Sequence, residues 1–149
     1  MSRVIRSMLV ALVALALTAP LATAAPVCTR TGTDGNNKLI GTPDDDVLCG
    51  LGGSDLIEGR LGNDILVGGA GNDDLLGGRG NDILRAGSGA DLLIGREGDD
   101  RLIGGPGRDI LDSFDGVSGN DVVDGSGGQD ICRVDVGDTV INCEEVLEI

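Results

Sequence analysis

Residues 68–85 read GGAGNDDLL (68–76) followed by GGRGNDILR (77–85), one nine-residue pattern written twice. Extended in both directions, the frame holds from Gly41 to Arg133. Its units begin at Gly41, Gly50, Gly59, Gly68, Gly77, Ala86, Gly95, Gly104, Ser113 and Gly125, and the ninth carries three extra residues. The sixth position is aspartate in all ten units: Asp46, Asp55, Asp64, Asp73, Asp82, Asp91, Asp100, Asp109, Asp121 and Asp130. The fourth is glycine in nine, with Asp44 the exception. The eighth is aliphatic from Leu48 to Val123 and becomes Cys132 in the last unit. Self-similarity at a fixed short period marks a solenoid.

Three residues of the form x-aliphatic-x make a strand of roughly 10 Å, too short to stand alone. With one inward side chain per strand, each unit is stable only when stacked on its neighbours. A coil with two units per revolution stacks the aspartates of units n and n+2, with backbones about 4.8 Å apart. Two carboxylates at that distance repel by roughly 3 kcal/mol at an effective dielectric near 20. Summed over the array, this rivals the ~5–15 kcal/mol that holds a domain together. The coil therefore calls for cations between its turns. Carboxylates and free carbonyls suit a hard ion, and calcium takes about six to eight oxygen ligands, whereas magnesium demands a tighter octahedron and keeps its waters. Softer metals lack their ligands: there is no histidine, and the thiols have another use.

GGAGND (68–73), GGRGND (77–82) and GGPGRD (104–109) resemble the GGxGxD core of the hemolysin-type, or RTX, calcium-binding nonapeptide. The resemblance covers 41–133, with three units strict and seven degenerate. It implies an all-β fold, a right-handed parallel β-roll of about ten repeats with calcium between successive turns. It also implies a ligand set. One loop supplies the carbonyls of positions 2 and 4 with its aspartate; the loop one turn later supplies the carbonyls of positions 1 and 3 with its own. Carried onto this chain, one site is Gly78, Gly80 and Asp82 with Gly95, Glu97 and Asp100. Another is Gly69, Gly71 and Asp73 with Ala86, Ser88 and Asp91. The same pattern makes candidates of Asp55, Asp64, Asp109 and Asp130, and of the backbone at Gly68, Ala70, Gly77, Arg79, Gly104 and Pro106.

Departures from the pattern limit the expected occupancy to several ions, fewer than the eight n/n+2 pairs. Position 2 is Thr42, Leu51, Arg60, Arg96, Phe114 or Ser126 in six units, where glycine would turn freely. Pro43 and Asp44 suit the first unit to a cap. The insertion in the ninth unit is expected to break the ladder on its side.

Outside the array, Arg3, Arg6, an apolar run from Met8 to Leu17 and Ala22-Thr23-Ala24 make residues 1–24 a cleavable secretory signal peptide. Pro20 and the shortness of the run weigh against the competing reading, an uncleaved membrane anchor. Residues 25–40 then form a lead or cap, and 134–149 a C-terminal cap of one or two closing strands. Many RTX proteins leave the cell by an uncleaved C-terminal signal, so an N-terminal one argues against carrying over toxin or protease biology. The mature chain keeps 9 basic and 25 acidic residues, a net charge of −16. Such a surface attracts cations and repels nucleic acid and anionic membranes. Cys28, Cys49, Cys132 and Cys143 are even in number, and in an exported chain that reads as two disulfides. Of three connectivities, Cys28–Cys49 with Cys132–Cys143 ties each end locally; a thiolate metal site lacks any C-x-x-C spacing.

The expected function is an extracellular calcium-binding protein that folds on binding calcium, with a calcium-dependent adhesin or matrix protein as the alternative. The cell-surface or matrix partner is left open. An antiparallel meander with ordinary Gly-Asn-Asp turns does not require aspartate at one place in ten of ten units. Arg60, Arg79, Arg96 and Arg108 read first as solvated turn positions and second as a row for carboxylated ligands. An enzyme is not expected: no histidine exists for a triad or general base, and the acids form a ladder rather than a cleft. Ice binding needs a flat threonine ladder, and the threonines are scattered outside the repeating strands.

Overall fold

The computed structural model describes residues 27–149; the signal-peptide reading of 1–24 lies outside them. The strands are β1 (Arg30–Thr31), β2 (Lys38–Ile40), β3 (Val47–Gly52), β4 (Leu56–Leu61), β5 (Ile65–Ala70), β6 (Asp74–Arg79) and β7 (Ile83–Ser88). They continue as β8 (Leu92–Glu97), β9 (Arg101–Gly107), β10 (Ile110–Asp112), β11 (Val122–Gly128), β12 (Ile131–Val134), β13 (Thr139–Ile141) and β14 (Glu145–Glu148). The odd-numbered strands form one seven-stranded sheet and the even-numbered strands another, each in chain order. Every pairing is parallel. The chain thus alternates between two sheets and rises one ladder step per pair of units, as a parallel β-solenoid.

The roll is longer than ten nonapeptides, which would give five turns: seven strands stack in each sheet. The extra turns come from the flanks. β1 and β2 of the lead pair with β3 and β4, and β13 and β14 of the tail pair with β11 and β12. The strands are also longer than three residues. The central elements run to six because positions 2 and 3 rejoin the ladder, as in Leu51↔Gly69 and Gly52↔Ala70. The pairing skips position 1, as at Gly50.

Position 8 supplies the core. Leu48, Leu66, Leu84, Leu102 and Val123 rise in one column and Ile57, Leu75, Leu93 and Leu111 in the other, all fully buried. Cys132 continues the second column and is bonded to Cys143; Cys49 is bonded to Cys28. Both pairings are those expected, and each ties a flank to the body.

Two departures have local effects. The insertion removes only the loop half of one rung: β10 pairs with β8 over Ile110–Asp112 alone, so Arg96 and Glu97 have no strand on that side. The expected break does not reach the aspartates, because Asp100 N–H still donates to Asp121 Oδ1 at 2.6 Å. At position 2, Leu51, Arg60, Arg96 and Ser126 have φ of 81, 90, 81 and 72°, as a glycine-shaped turn requires. Thr42 and Phe114 escape that conformation, Thr42 because it closes a local turn on Asp46.

Left-handed backbone costs a side chain about 1–2 kcal/mol, of which glycine's extra freedom in the unfolded chain returns about 0.5–1. Leu51, half exposed, has little packing to lose. Leu51→Gly is therefore expected to raise the melting temperature of the calcium-saturated protein by a few degrees, for roughly 0.5–1 kcal/mol. A lower midpoint in differential scanning calorimetry would contradict the strain argument.

Candidate metal centre

The tight turn after position 4 brings each aspartate inward beneath the glycine that opens its unit. Nine of these aspartates are all but removed from solvent, Asp109 completely and Asp55 and Asp91 at 3% exposure. They stand in two columns, one at each edge of the sandwich. In each, the backbone N–H of an aspartate donates to Oδ1 of the aspartate one turn later: Asp55 to Asp73, Asp64 to Asp82, Asp73 to Asp91, and Asp82 to Asp100, all at 2.8 Å. Asp91 to Asp109 and Asp109 to Asp130 follow at 2.9 Å.

That hydrogen bond uses one oxygen and leaves the other. Oδ2 of Asp55, Asp64, Asp73, Asp82, Asp91, Asp100, Asp109, Asp121 and Asp130 is buried without any partner. A buried carboxylate oxygen without a hydrogen-bond partner is costly, and nine in register share one physical cause rather than being nine accidents. Burial first, and then repulsion from neighbouring aspartates, raises the pKa of Asp64, Asp73, Asp82, Asp91, Asp100, Asp109 and Asp121 against the opposing pull of the ladder N–H. The carboxyl of Asp82 is raised to about 7, with Asp100 and Asp64 repelling it. Asp121 is raised to about 7 and Asp100 and Asp109 to about 6 by the same leading cause.

The backbone supplies further oxygens. A Cβ on Gly77 would lie 2.4 Å from Asp82 Oδ2 and 2.8 Å from the carbonyl oxygen of Gly95, so those two oxygens converge on one point. Gly68 repeats this with Asp73 Oδ2 and the carbonyl of Ala86, and Gly104 with Asp109 Oδ2 and the carbonyl of Gly125. Position 1 is thus glycine because a carboxylate and a carbonyl of the next turn occupy the side-chain space. Ala86 and Ser113 are the exceptions, both fully buried, Ala86 with its methyl group in the core. Gly69, Gly71, Gly78 and Gly80 all have positive φ (117, 128, 132 and 121°). The carbonyls of Gly69, Gly71 and Gly80 abut the α-carbons of Gly87, Gly89 and Gly98 one turn on.

Of the residues implicated from the sequence, the aspartates and the position 1 backbone are therefore brought together. At position 3, Ala70 pairs with Ser88 and Arg79 with Glu97. The carbonyls of Ser88, Glu97 and Pro106 accept the N–H of Gly71, Gly80 and Gly89, which leaves each one lone pair. Among the described residues no three acidic or cysteine side chains converge, so each inter-turn space is a mixed set of carboxylate and carbonyl oxygens. Such an oxygen-only set fits a hard divalent cation and offers nothing to a soft one.

The sequence reading left out four members of the columns. Asp121, set aside because of the insertion, is as buried and as unpartnered as the rest. Asp138 accepts the N–H of Asp121 at 3.3 Å, Glu144 that of Asp130 at 2.7 Å, and Asn37 N–H donates to Asp55 Oδ1 at 2.7 Å. The signal was present as acid-or-amide, x, aliphatic, x in NKLI (37–40), DTVI (138–141) and EEVL (144–147). A second set of columns at position 5 was also missed. Ser54, Asn63, Asn81, Ala90 and Asp99 donate their N–H to Asn36, Asp45, Asn63, Asn72 and Asn81 one turn earlier, at 2.7–3.0 Å. These bonds run opposite in direction to the aspartate bonds, so each turn is held from both sides. Among these ten aspartates only Asp46 has its Oδ2 satisfied, by the N–H and hydroxyl of Thr42, which lowers its pKa and closes the column.

A family model described as the RTX calcium-binding nonapeptide repeat matches the chain in four copies, over residues 31–66, 50–84, 76–111 and 112–141. No curated protein and no solved structure matches it. Together the four copies span 31–141, most of the chain and more than its strict nonapeptides, in agreement with the strand ladder: the chain belongs to the RTX calcium-binding nonapeptide-repeat family.

Proposed function

We propose that this protein is an extracellular calcium-binding module whose turns are joined by calcium and which folds as the ions bind. The observation that carries the reading is the double column of buried aspartate oxygens without partners. Calcium supplies positive charge there and accepts the carbonyl oxygens of the neighbouring loops as further ligands. The residues named for the two strict sites, Gly78, Gly80, Asp82, Gly95, Glu97 and Asp100, and Gly69, Gly71, Asp73, Ala86, Ser88 and Asp91, are the proposed ligand sets. Spaces bounded by Asp46 and by the insertion are the poorest, so fewer than eight ions are expected. The signal peptide of 1–24 and the two disulfides support an exported, oxidising location. A repeat solenoid of this kind is a binding fold rather than a known enzyme fold, and the role follows as binding or scaffolding.

Calorimetric titration of the chain lacking residues 1–24 tests this. Several calcium ions are expected to bind with millimolar or tighter apparent affinity, in line with extracellular calcium modules. No heat and no bound ion at 10 mM calcium (about ten times the weakest extracellular range) would defeat the proposal.

A further inference from the structure

On one edge of the roll, position 2 of successive loops is Thr42, Arg60, Gly78, Arg96 and Phe114. Arg60 is in register with Gly78, and Gly78 with Arg96. The missing side chain at Gly78 leaves a gap between two arginines. It opens into a groove of about 550 Å3, walled by Leu61, Leu76 and Phe114. That volume lies within the roughly 300–1,000 Å3 of small-molecule sites.

Two observations coincide at these arginines. Both keep a side chain at φ of 90 and 81°, where Gly69, Gly78, Gly87 and Gly105 show that glycine serves without strain. Among the described residues both also lack a salt-bridge partner. Among the described residues Glu97 is paired with Arg79 at 3.1 Å, Glu58 with Lys38 at 3.9 Å, and Asp112 with Arg133 at 3.0 Å. Asp115 accepts the N–H groups of Val117 and Gly98. Of the acids lining the groove, Glu97 and Glu58 are thus ion-paired and Asp115 is held by backbone N–H groups, while the guanidinium groups of Arg60 and Arg96 are exposed. Their α-carbons stand two ladder steps apart, about 10 Å.

We propose that this groove binds a small dianion, a dicarboxylate whose two ends are joined by an apolar chain long enough to bridge Arg60 and Arg96. Each guanidinium fork takes one carboxylate. The Gly78 gap admits the chain, and Leu61, Leu76 and Phe114 cover it. The site uses the exposed side chains of Arg60 and Arg96 rather than the buried aspartates, so it takes no carboxylate from the ions.

Titration calorimetry of the protein in calcium, with succinate, suberate, dodecanedioate and the monomethyl ester of suberic acid, tests the assignment. Suberate is expected to bind at a single site, and succinate and the monoester at least tenfold more weakly. Arg60→Gly and Arg96→Gly are each expected to weaken suberate at least tenfold. Because glycine relaxes the backbone, calcium stoichiometry is expected to hold and the melting temperature to stay equal or rise. Arg101→Ala, on the outer face of the other sheet, is expected to change nothing. Absence of saturable binding at every length would overturn the proposal. So would an equal loss in Arg101→Ala, or unchanged binding in the double glycine variant. Arginine-dependent binding of polyglutamate without binding of any dicarboxylate would give the groove to an acidic polymer and likewise overturn it.

Discussion

In excess chelator at pH 7.5, the chain is expected to lose most of its β structure, and calcium is expected to restore it in one cooperative step. Nine carboxylates are buried with an unpartnered oxygen, and the core that must offset them is one aliphatic side chain per strand with no aromatic residue inside. Burying a charge without a counter-charge costs several kcal/mol per ion, and a domain has only about 5–15 kcal/mol in hand. Protons are the alternative neutraliser, and the sign of their effect can be worked out. Asp82, Asp121, Asp100 and Asp109 have carboxyls raised to about 7, 7, 6 and 6 in the ion-free fold, against 3.8 when unfolded. The ion-free fold therefore holds more protons than the unfolded chain across that window. Its stability is greatest below about pH 4 and is lost as pH rises through 6–7. Calcium must displace those protons, so its affinity is expected to fall as pH drops from 7.5 to 5.5. Far-UV circular dichroism in chelator and in calcium, at both pH values, checks this. A spectrum indifferent to chelator at pH 7.5, or tighter calcium binding at pH 5.5, would contradict the account.

The architecture was legible because three constraints repeat at one period. Aspartate at position 6, glycine at position 4 and an aliphatic residue at position 8 each answer a separate physical need, and their coincidence admits little besides a two-sheet coil. The ends were less legible. Asp138 and Glu144 occupy ladder places without the glycine signature, whereas Asn37 keeps it, with Gly32 and Gly35 at positions 1 and 4, and departs from the pattern only by carrying an amide in place of the carboxylate. The strand length was underestimated because positions 2 and 3 look like turn chemistry, whereas positive φ at position 2 turns the chain and lets it rejoin the ladder. The insertion could not be resolved from spacing alone: nine residues from Ser113 to Asp121 still return the aspartate to its column. The position 5 columns were overlooked because asparagine beside aspartate reads as a generic turn.

Replacing Asp82 with asparagine is expected to act with opposite sign in calcium and in chelator. Asp82 lies in the middle of its column: its Oδ1 accepts the N–H of Asp64, its own N–H donates to Asp100, and its Oδ2 faces the carbonyl of Gly95. It borders two inter-turn spaces, so Asp82→Ala should abolish or weaken two adjacent ions. It also strands the buried Asp64 N–H, at a cost of about 1–3 kcal/mol. In a quasi-one-dimensional array that loss divides the cooperative unit, and the calcium-driven transition should broaden. Asp82→Asn separates the two contributions. The amide oxygen can still take the Asp64 N–H, while the charge that binds calcium and burdens the ion-free fold is gone. In calcium, Asp82→Asn should lose ions as Asp82→Ala does; in chelator it should be more stable than the parent, where Asp82→Ala should be less so. Asp46 is the control at the end of the column, with Oδ2 already held by Thr42 and Oδ1 by Thr29, so Asp46→Ala should remove at most one weak ion and leave the transition sharp. Calcium stoichiometry by calorimetry, urea melts in calcium and residual β structure by circular dichroism in chelator decide the matter: an equal or larger loss for Asp46→Ala, or an Asp82→Asn variant with less β structure than the parent in chelator, would mean that the buried aspartates are not the sites at which calcium joins the turns.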